Sequence, residues 1–190
     1  PMGLPSIGSM SVTANSATSA RAQVSITSGG GGQVTECGVC WSTRPAPTVA
    51  DSSLIAGGDL GTFTVEISGL EPGVTYHVRP YAMNSAGTVY GTAIEVSCWE
   101  TRIHAVGPNP FAASARIEYT VSQPVPVSVE IFDLSGRRVR VLRDEPAESG
   151  KHTIVWDGRL ATGTPAGSGV YFLRLQAAGS EDRRSIILLR

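Results

Sequence analysis

Residues 70–76 read Leu-Glu-Pro-Gly-Val-Thr-Tyr, and this short stretch decides the fold of the first half of the chain. Pro72 and Gly73 predict a tight turn between two strands, because proline fixes one turn angle and glycine tolerates the positive φ of the next. Tyr76 opens the following strand, where its ring can pack into a core while its hydroxyl bonds the turn backbone. This combination is typical of the tyrosine corner of Greek-key β-sandwiches.

Alternating apolar and polar residues extend the β prediction to the whole chain. Short runs with period 2 are separated by Gly, Pro, Ser and Asn, and no stretch carries an apolar helical stripe. In the first half we expect a loop over residues 44–53, with Trp41 in the core of the strand before it. The expected strands are 9–14, 20–28, 34–43, 62–68, 75–83, 88–98, 115–121, 127–131, 137–143, 152–156, 170–177 and 185–189.

Length and charge exclude some classes of function. The 190 residues are enough for two domains of about 90 to 100 residues each. The net charge of −1 gives no global field that would draw nucleic acid or an anionic membrane. No run of apolar residues is long enough to predict a transmembrane segment. No signal segment opens the sequence, so export would depend on one that is removed or lies upstream.

Motifs of the first half resemble a known repeat. Residues 38–48 (Gly-Val-Cys-Trp-Ser-Thr-Arg-Pro-Ala-Pro-Thr) and 69–91, which include the Pro-Gly turn and Tyr76, resemble the fibronectin type III-like repeats of exported Bacteroidetes-type proteins. Pro80 departs from that pattern. A proline removes one donor from a β-ladder, so we expect an edge or a bulge there.

The second half resembles two overlapping families. The residues that carry the resemblance are 109–111 (Asn-Pro-Phe), 131–139, 150–152, Trp156-Asp157-Gly158, 168–175 and 186–190. One family is the C-terminal sorting domain of type IX secretion cargo, and the other is the Ig-like domain of flagellar hook-capping proteins. Either resemblance implies an Ig-like sandwich at the natural C-terminus of an exported protein.

The resulting prediction is an all-β chain of two Ig-like or fibronectin type III-like β-sandwiches in tandem. We expect one domain over 1–102, a linker over 103–107 and a second domain over 108–190. Tyr76, Trp41, Pro72, Gly73, Trp156, Asp157 and Gly158 are predicted to be structural residues.

The three cysteines, Cys37, Cys40 and Cys98, leave an odd thiol. The Cys-x-x-Cys pair lies on an alternating segment, where residues three apart point to opposite faces, so a metal or redox site is disfavoured. Cys40 is expected to be a small buried hydrophobe. A disulfide among the three stays open.

No constellation for catalysis, cofactor binding or metal binding is predicted. His77, His104 and His152 are scattered, and a nucleophile needs a base within reach. Asp133 and Asp157 are the plausible starts of a calcium site, but both are expected to bond nearby turn backbone. No Asn-x-Ser/Thr sequon occurs, so any glycan would be O-linked and cannot be recognised from the sequence.

Three functions are compatible with the sequence. The first is a non-enzymatic structural or adhesive protein of the bacterial surface or medium, which could be the subunit of a filament or array. In that case residues 1–10, with Met2, Leu4, Ile7 and Met10, would either add to the sheet edge of a neighbouring copy or form the first strand of their own domain.

The second function is a spacer joined to a sorting or anchoring module of a larger secreted protein. The third is a carbohydrate-binding module, for which Trp41, Tyr81, Tyr90 and Trp99 are the aromatic candidates. Partners would be another copy of the chain, cell-surface or secretion components, or a polysaccharide.

Overall fold

The computed structural model describes residues 2–190, and its regular elements are β-strands throughout. The chain divides into two compact units, one ending at Cys98 and the other spanning Trp99–Arg190. In the described part of the chain no helix is long and apolar enough to cross a membrane. The fold class is therefore the expected one, a tandem of β-sandwiches.

The first unit contains eight strands in two sheets. One sheet has the order β1-β2-β5, and the other has the order β4-β3-β6-β7 with β8 also paired to β6. All pairings are antiparallel. The strands are β1 (Ser6–Ala14), β2 (Ser19–Ser28), β3 (Glu36–Ser42), β4 (Ser52–Gly57), β5 (Gly61–Ser68), β6 (Thr75–Asn84), β7 (Gly87–Tyr90) and β8 (Ile94–Ser97).

The core of the first unit comes from the alternation along these strands. Ala22, Val24 and Ile26 of β2 are buried, and the residues between them face outward. Val65 and Ile67 of β5 continue this buried layer on the same sheet. The period-2 pattern therefore places one face of each strand in the core.

The second unit contains seven strands. Its sheets have the orders β13-β10-β9 and β12-β11-β14-β15. The strands are β9 (Arg102–Gly107), β10 (Ala115–Val121), β11 (Val125–Phe132), β12 (Arg138–Ala147), β13 (Gly150–Trp156), β14 (Gly169–Ala177) and β15 (Ser180–Leu188).

The two units share one strand order. In each, the first, second and fifth strands form a three-stranded sheet. The fourth, third and sixth strands, with the last ones, form the other sheet. The same sandwich is thus built twice.

Two segments differ from the sequence prediction. Ser52–Gly57, which lay outside every predicted strand, forms β4, whose side chains are all exposed and so give no buried alternation to detect. The predicted linker 103–107 is wrong, because these residues belong to β9, which pairs with β10 and buries Ile103. The six residues of β9 are too few to show a clear alternation of apolar and polar residues in the sequence.

Pro80 explains why the last expected strand of the first unit is split. β6 pairs with β7 through residues 81–84 and with β8 through residues 75–78. Pro80 lies opposite the interruption and accepts a hydrogen bond from Gly91 N at 2.9 Å. Because proline has no N–H to donate, the partner strand leaves the ladder at this position.

Strand β15 is an edge strand whose outer side is covered by the Asn-Pro-Phe motif. The side chain of Asn109 donates to Ser185 O at 3.1 Å and accepts from Ile187 N at 2.9 Å. Phe111 adds backbone bonds to Ile187 O and Leu189 N. The motif therefore occupies backbone groups that would otherwise be open to another strand.

The two hydrogen bonds by which the Asn109 side chain clamps β15 can be tested with a matched pair of variants. Asn109→Ala removes both bonds, so we expect faster amide exchange at Ile187 and a loss of about 1 to 2 kcal/mol in the free energy of unfolding. Asn109→Asp keeps the acceptor and should retain the protection of Ile187. Hydrogen exchange measured by NMR would contradict the clamp if Ile187 exchanged equally in all three proteins.

Candidate functional site

The predicted tyrosine corner is present in the first unit. Tyr76 is the second residue of β6, and its hydroxyl accepts a hydrogen bond from Glu71 N at 3.3 Å. Pro72 and Gly73 form the preceding turn, with Gly73 at φ +79° and Val74 N bonded to Glu71 O. The ring of Tyr76 packs against the core. The turn and the tyrosine lie together and hold one end of the sandwich.

The second unit has an equivalent tyrosine that the sequence prediction did not include. Tyr171, near the start of β14, donates its hydroxyl to Gly167 O at 2.8 Å. Strand β14 corresponds in sheet position to β6. The signal was present, since a Gly and Ser turn precedes a tyrosine at the start of an alternating strand, as before Tyr76.

Trp156, Asp157 and Gly158 form a turn at the end of β13. Trp156 is fully buried, and its indole N–H donates to Arg159 O at 3.0 Å. Asp157 accepts from Arg159 N at 3.0 Å, and Gly158 adopts φ +66°. A side chain at Gly158 would be strained whatever the space available. The motif is thus a structural turn.

An aromatic group surrounds Trp156. The ring centroid of Phe111 lies 5.3 Å from that of Trp156, and the ring of Tyr171 meets it edge-on at 5.0 Å. Because Trp156 and Tyr171 come from different sheets, this cluster joins the two layers of the sandwich. Such edge-on and tilted aromatic pairs add to the burial of their area.

Trp41 is less buried than expected and packs against the core of the first unit with part of its side chain. The opposite face of its strand carries a second cluster. Arg79 lies over the ring of Tyr90 at 4.7 Å and donates to Gly91 O at 2.9 Å. The hydroxyl of Tyr81 donates to Glu36 at 2.7 Å, and burial raises the pKa of Tyr81.

The aromatic candidates for sugar binding do not form an exposed platform in the described structure. Tyr81 is buried, and Trp41 and Tyr90 are half-buried. Trp99 belongs to the other unit. These four side chains therefore do not form an aromatic row that could bind a sugar.

All three cysteines are free and buried. Cys40 donates to Arg79 O at 3.4 Å, and burial raises its pKa to about 11. Burial also raises the pKa values of Cys37 and Cys98. The expected burial of Cys40 is confirmed, and no disulfide forms among the three.

Each of the three histidines contacts a different part of the structure, and the three lie apart from one another. His77 pairs across strands with Glu95 at 3.8 Å. His104 bonds the hydroxyl of Thr120 at 2.8 Å, and His152 bonds Glu148 O at 2.7 Å while stacking on Tyr119. Residues 2–190 contain no group of three His, Cys, Asp or Glu side chains that could hold a metal ion.

The two aspartates considered for calcium bond turn backbone, as expected. Asp133 accepts from Ser135 N at 3.0 Å and from Arg137 N at 3.1 Å. Hydrogen bonds with Ser135 and Arg137 lower the pKa of Asp133. The carboxylate is therefore already engaged.

The proposed assembly segment lies against its own domain. Ile7 and Met10 belong to β1, which pairs with β2. Met2 and Leu4 are about half exposed, and Gly3 between them bonds Gly30 O and Asn84. Pro1 is outside the described residues. Of the two alternatives for this segment, the arrangement is that of a strand in its own sheet.

One protein-family model matches part of the chain. Residues 111–181 match the model of the FlgD Ig-like domain. This supports the resemblance of the second unit to the Ig-like domain of hook-capping proteins, whereas the type IX sorting domain stays a prediction. No curated protein matches the chain.

Three solved structures are similar in fold. Dimeric latent PorU from Porphyromonas gingivalis is 19% identical over 97% of this chain, with a TM-score of 0.41, and the chain spans 20% of that protein. The FN1–FN3 domains of chicken CNTN1 are 14% identical, with a TM-score of 0.42. The match covers 99% of this chain and 68% of the CNTN1 segment. The two-domain fibronectin type III segment of chicken tenascin is 13% identical, with a TM-score of 0.43. The match covers 97% of this chain and 99% of the tenascin segment.

The two tyrosine corners give a matched pair of variants. Tyr171→Phe should lower the free energy of unfolding of the second unit by about 1 kcal/mol, because it removes a hydrogen bond between the corner and Gly167. Tyr76→Phe should lower that of the first unit by less, since its bond is longer. Urea unfolding followed by NMR signals of each unit is the measurement, and an unchanged transition in both variants would contradict the two corners.

The three buried thiols are expected to react slowly with a disulfide reagent in the folded protein. Because burial and raised pKa values keep the thiols protonated, a disulfide reagent at about pH 8 should react slowly with the native protein. All three thiols should react after unfolding without reductant. The exposed variant Ser53→Cys is the positive control. Rapid native reaction, or fewer than three thiols after unfolding, would show the cysteine assignment to be wrong.

Proposed function

We propose that this chain is a non-enzymatic structural module of a bacterial protein that works outside the cell or at its surface. Its role is to space and hold other parts of the protein rather than to act on a substrate. The proposed compartment is supported by the resemblance of the first half to repeats, and of the second half to C-terminal domains, of exported proteins, and the FlgD Ig-like match agrees with the latter.

The observation that carries the proposal is the repetition of one complete sandwich. Each unit has its own hydrophobic core, its own tyrosine bonded to turn backbone and the same strand order. A unit with its own core can resist unfolding by itself. Two such units in series are suited to bearing load or setting a distance.

A filament subunit is the second candidate. Strand β4 offers an edge that a neighbouring strand could join, since it carries no charge and exposes Leu54 and Ile55. In the donor expected for such a contact, residues 1–10, the part that belongs to β1 would have to leave its pairing with β2. This cost favours the spacer over polymerisation by strand exchange.

Single-molecule stretching of the chain tests the spacer directly. If each sandwich resists force by itself, the trace should show two separate unfolding events, each releasing about 300 Å of chain. Both events should return after relaxation. Gradual extension without discrete events would overturn a load-bearing role.

Sedimentation of the native protein separates the spacer from the filament. A spacer should stay monomeric as its concentration is raised, whereas a filament subunit should form larger species. Should larger species form, Ile55→Lys would place a charge on β4 and is expected to abolish them if this edge is the contact. The matched control is Gln23→Lys, which adds the same charge to the exposed face of β2, a strand that lies between two others in the other sheet.

A further inference from the structure

A groove of about 590 Å³ lies on the second unit, on the side of the β12-β11-β14-β15 sheet that faces away from the core. Ile131 and Leu173 point inward and are fully buried, so their neighbours Phe132 and Phe172 point outward. Phe132 and Phe172 lie directly across from each other on β11 and β14. They form an aromatic floor on the outer face.

The groove leaves apolar side chains open to solvent. Phe172 is 41% exposed and Leu134, in the loop after β11, is 70% exposed. Ser185 faces Phe172 from β15, so nothing large covers the floor from that side. The volume falls within the range of pockets that bind ligands.

Arginines stand around this floor. Arg174 places its guanidinium 4.5 Å from the centre of the Phe132 ring, and Arg183 lies across from it on β15. Arg184 also lies at the groove, but it stands opposite inward-facing Leu173 and its guanidinium bonds Ile103 O of the other sheet. Aromatic rings below and guanidinium groups at the side suit a ligand that is partly apolar and partly anionic.

Glu130 fixes two of the arginines in place. Its carboxylate is almost fully buried and accepts from Arg138 at 2.6 Å and from Arg174 at 2.5 Å. Burial alone would raise the pKa of Glu130, but the bonds from both arginines outweigh burial and lower it. One carboxylate thus holds two cations, which leaves a local excess of positive charge.

Hydrogen-bond donors also remain unused. The Nε–H of Arg174 is buried and has no acceptor among the described residues. Arg183 is paired with Glu181, and Arg137 with Asp133. Arg184 makes only a 3.4 Å bond to Ile103 O and no ion pair within residues 2–190. Asp133, which also lines the groove, is matched by Arg137, so the single carboxylate of Glu130 between Arg138 and Arg174 leaves a net positive charge there.

We propose that this groove binds an acidic peptide segment in which an aromatic or aliphatic side chain stands beside a carboxylate. The apolar side chain would lie on Phe132 and Phe172. The carboxylate would pair with the outward-facing guanidinium groups of Arg174 and Arg183, because guanidinium groups pair with carboxylates with geometric specificity. This contact is independent of the spacer function.

Fluorescence anisotropy with designed peptides tests the proposal. A labelled peptide of alternating aspartate and phenylalanine should bind the full chain saturably. Replacing aspartate by lysine should abolish binding, and replacing phenylalanine by alanine should weaken it by about tenfold or more. Added salt should weaken binding, since part of the attraction is between charges.

Matched variants locate the site. Phe172→Ala and Arg183→Ala should each weaken binding by about tenfold, as expected for groups at the centre of a contact. Val155→Ala and Arg116→Ala remove exposed side chains from the other sheet and should leave binding unchanged. Circular dichroism confirms that each variant is folded.

Three results would overturn the inference. One is the absence of saturable binding of the aspartate peptide. Another is equal binding of the lysine peptide, which would indicate apolar adsorption without charge recognition. The third is an equal loss in the control variants, which would place the peptide elsewhere on the protein.

Discussion

Each sheet of a β-sandwich ends in two edge strands, and their backbone N–H and C=O groups can pair with any strand that approaches. Several polar side chains and backbone bonds in this chain occupy such edge groups. Asn109 and Phe111 cover the outer side of β15, and Asp182 accepts from Ile103 N at 2.8 Å. Strand β4 has no such cover and no charge. The edge at β15 is therefore covered, whereas the edge at β4 is open to another strand.

One strand order arises from two dissimilar sequences, because different residues perform the same task. Tyr76 accepts a hydrogen bond from an amide of the turn before it, whereas Tyr171 donates one to a carbonyl. The first core consists mainly of small aliphatic side chains and the second is built around Trp156. What repeats is alternation along the strands and a tyrosine at one corner, and these features suffice to specify the sandwich.

Alternation and turn residues made most of the fold predictable. Strands such as β2 and β10 bury every second residue, so their pattern is visible in the sequence. Strand β4 buries nothing and β9 is short, and both depend on a neighbouring strand for their structure. The turn of Pro72 and Gly73 was readable for the same reason as the strands, since its requirement is local. The groove was not, because Phe132, Phe172 and Arg183 meet only through pairing of strands distant in sequence.

Glu130 illustrates how a position on the outer face can be at once structural and poised for binding. A buried carboxylate is costly unless it is paired and hydrogen-bonded, and Arg138 and Arg174 meet that requirement. Since its pKa is lowered in the folded state, Glu130 stabilises the fold above its unfolded pKa, and this contribution is lost as the pH falls through the folded value. Protonation would also release both arginines from their shared partner. The same carboxylate thus links the stability of the second unit to the position of Arg174, which lines its groove.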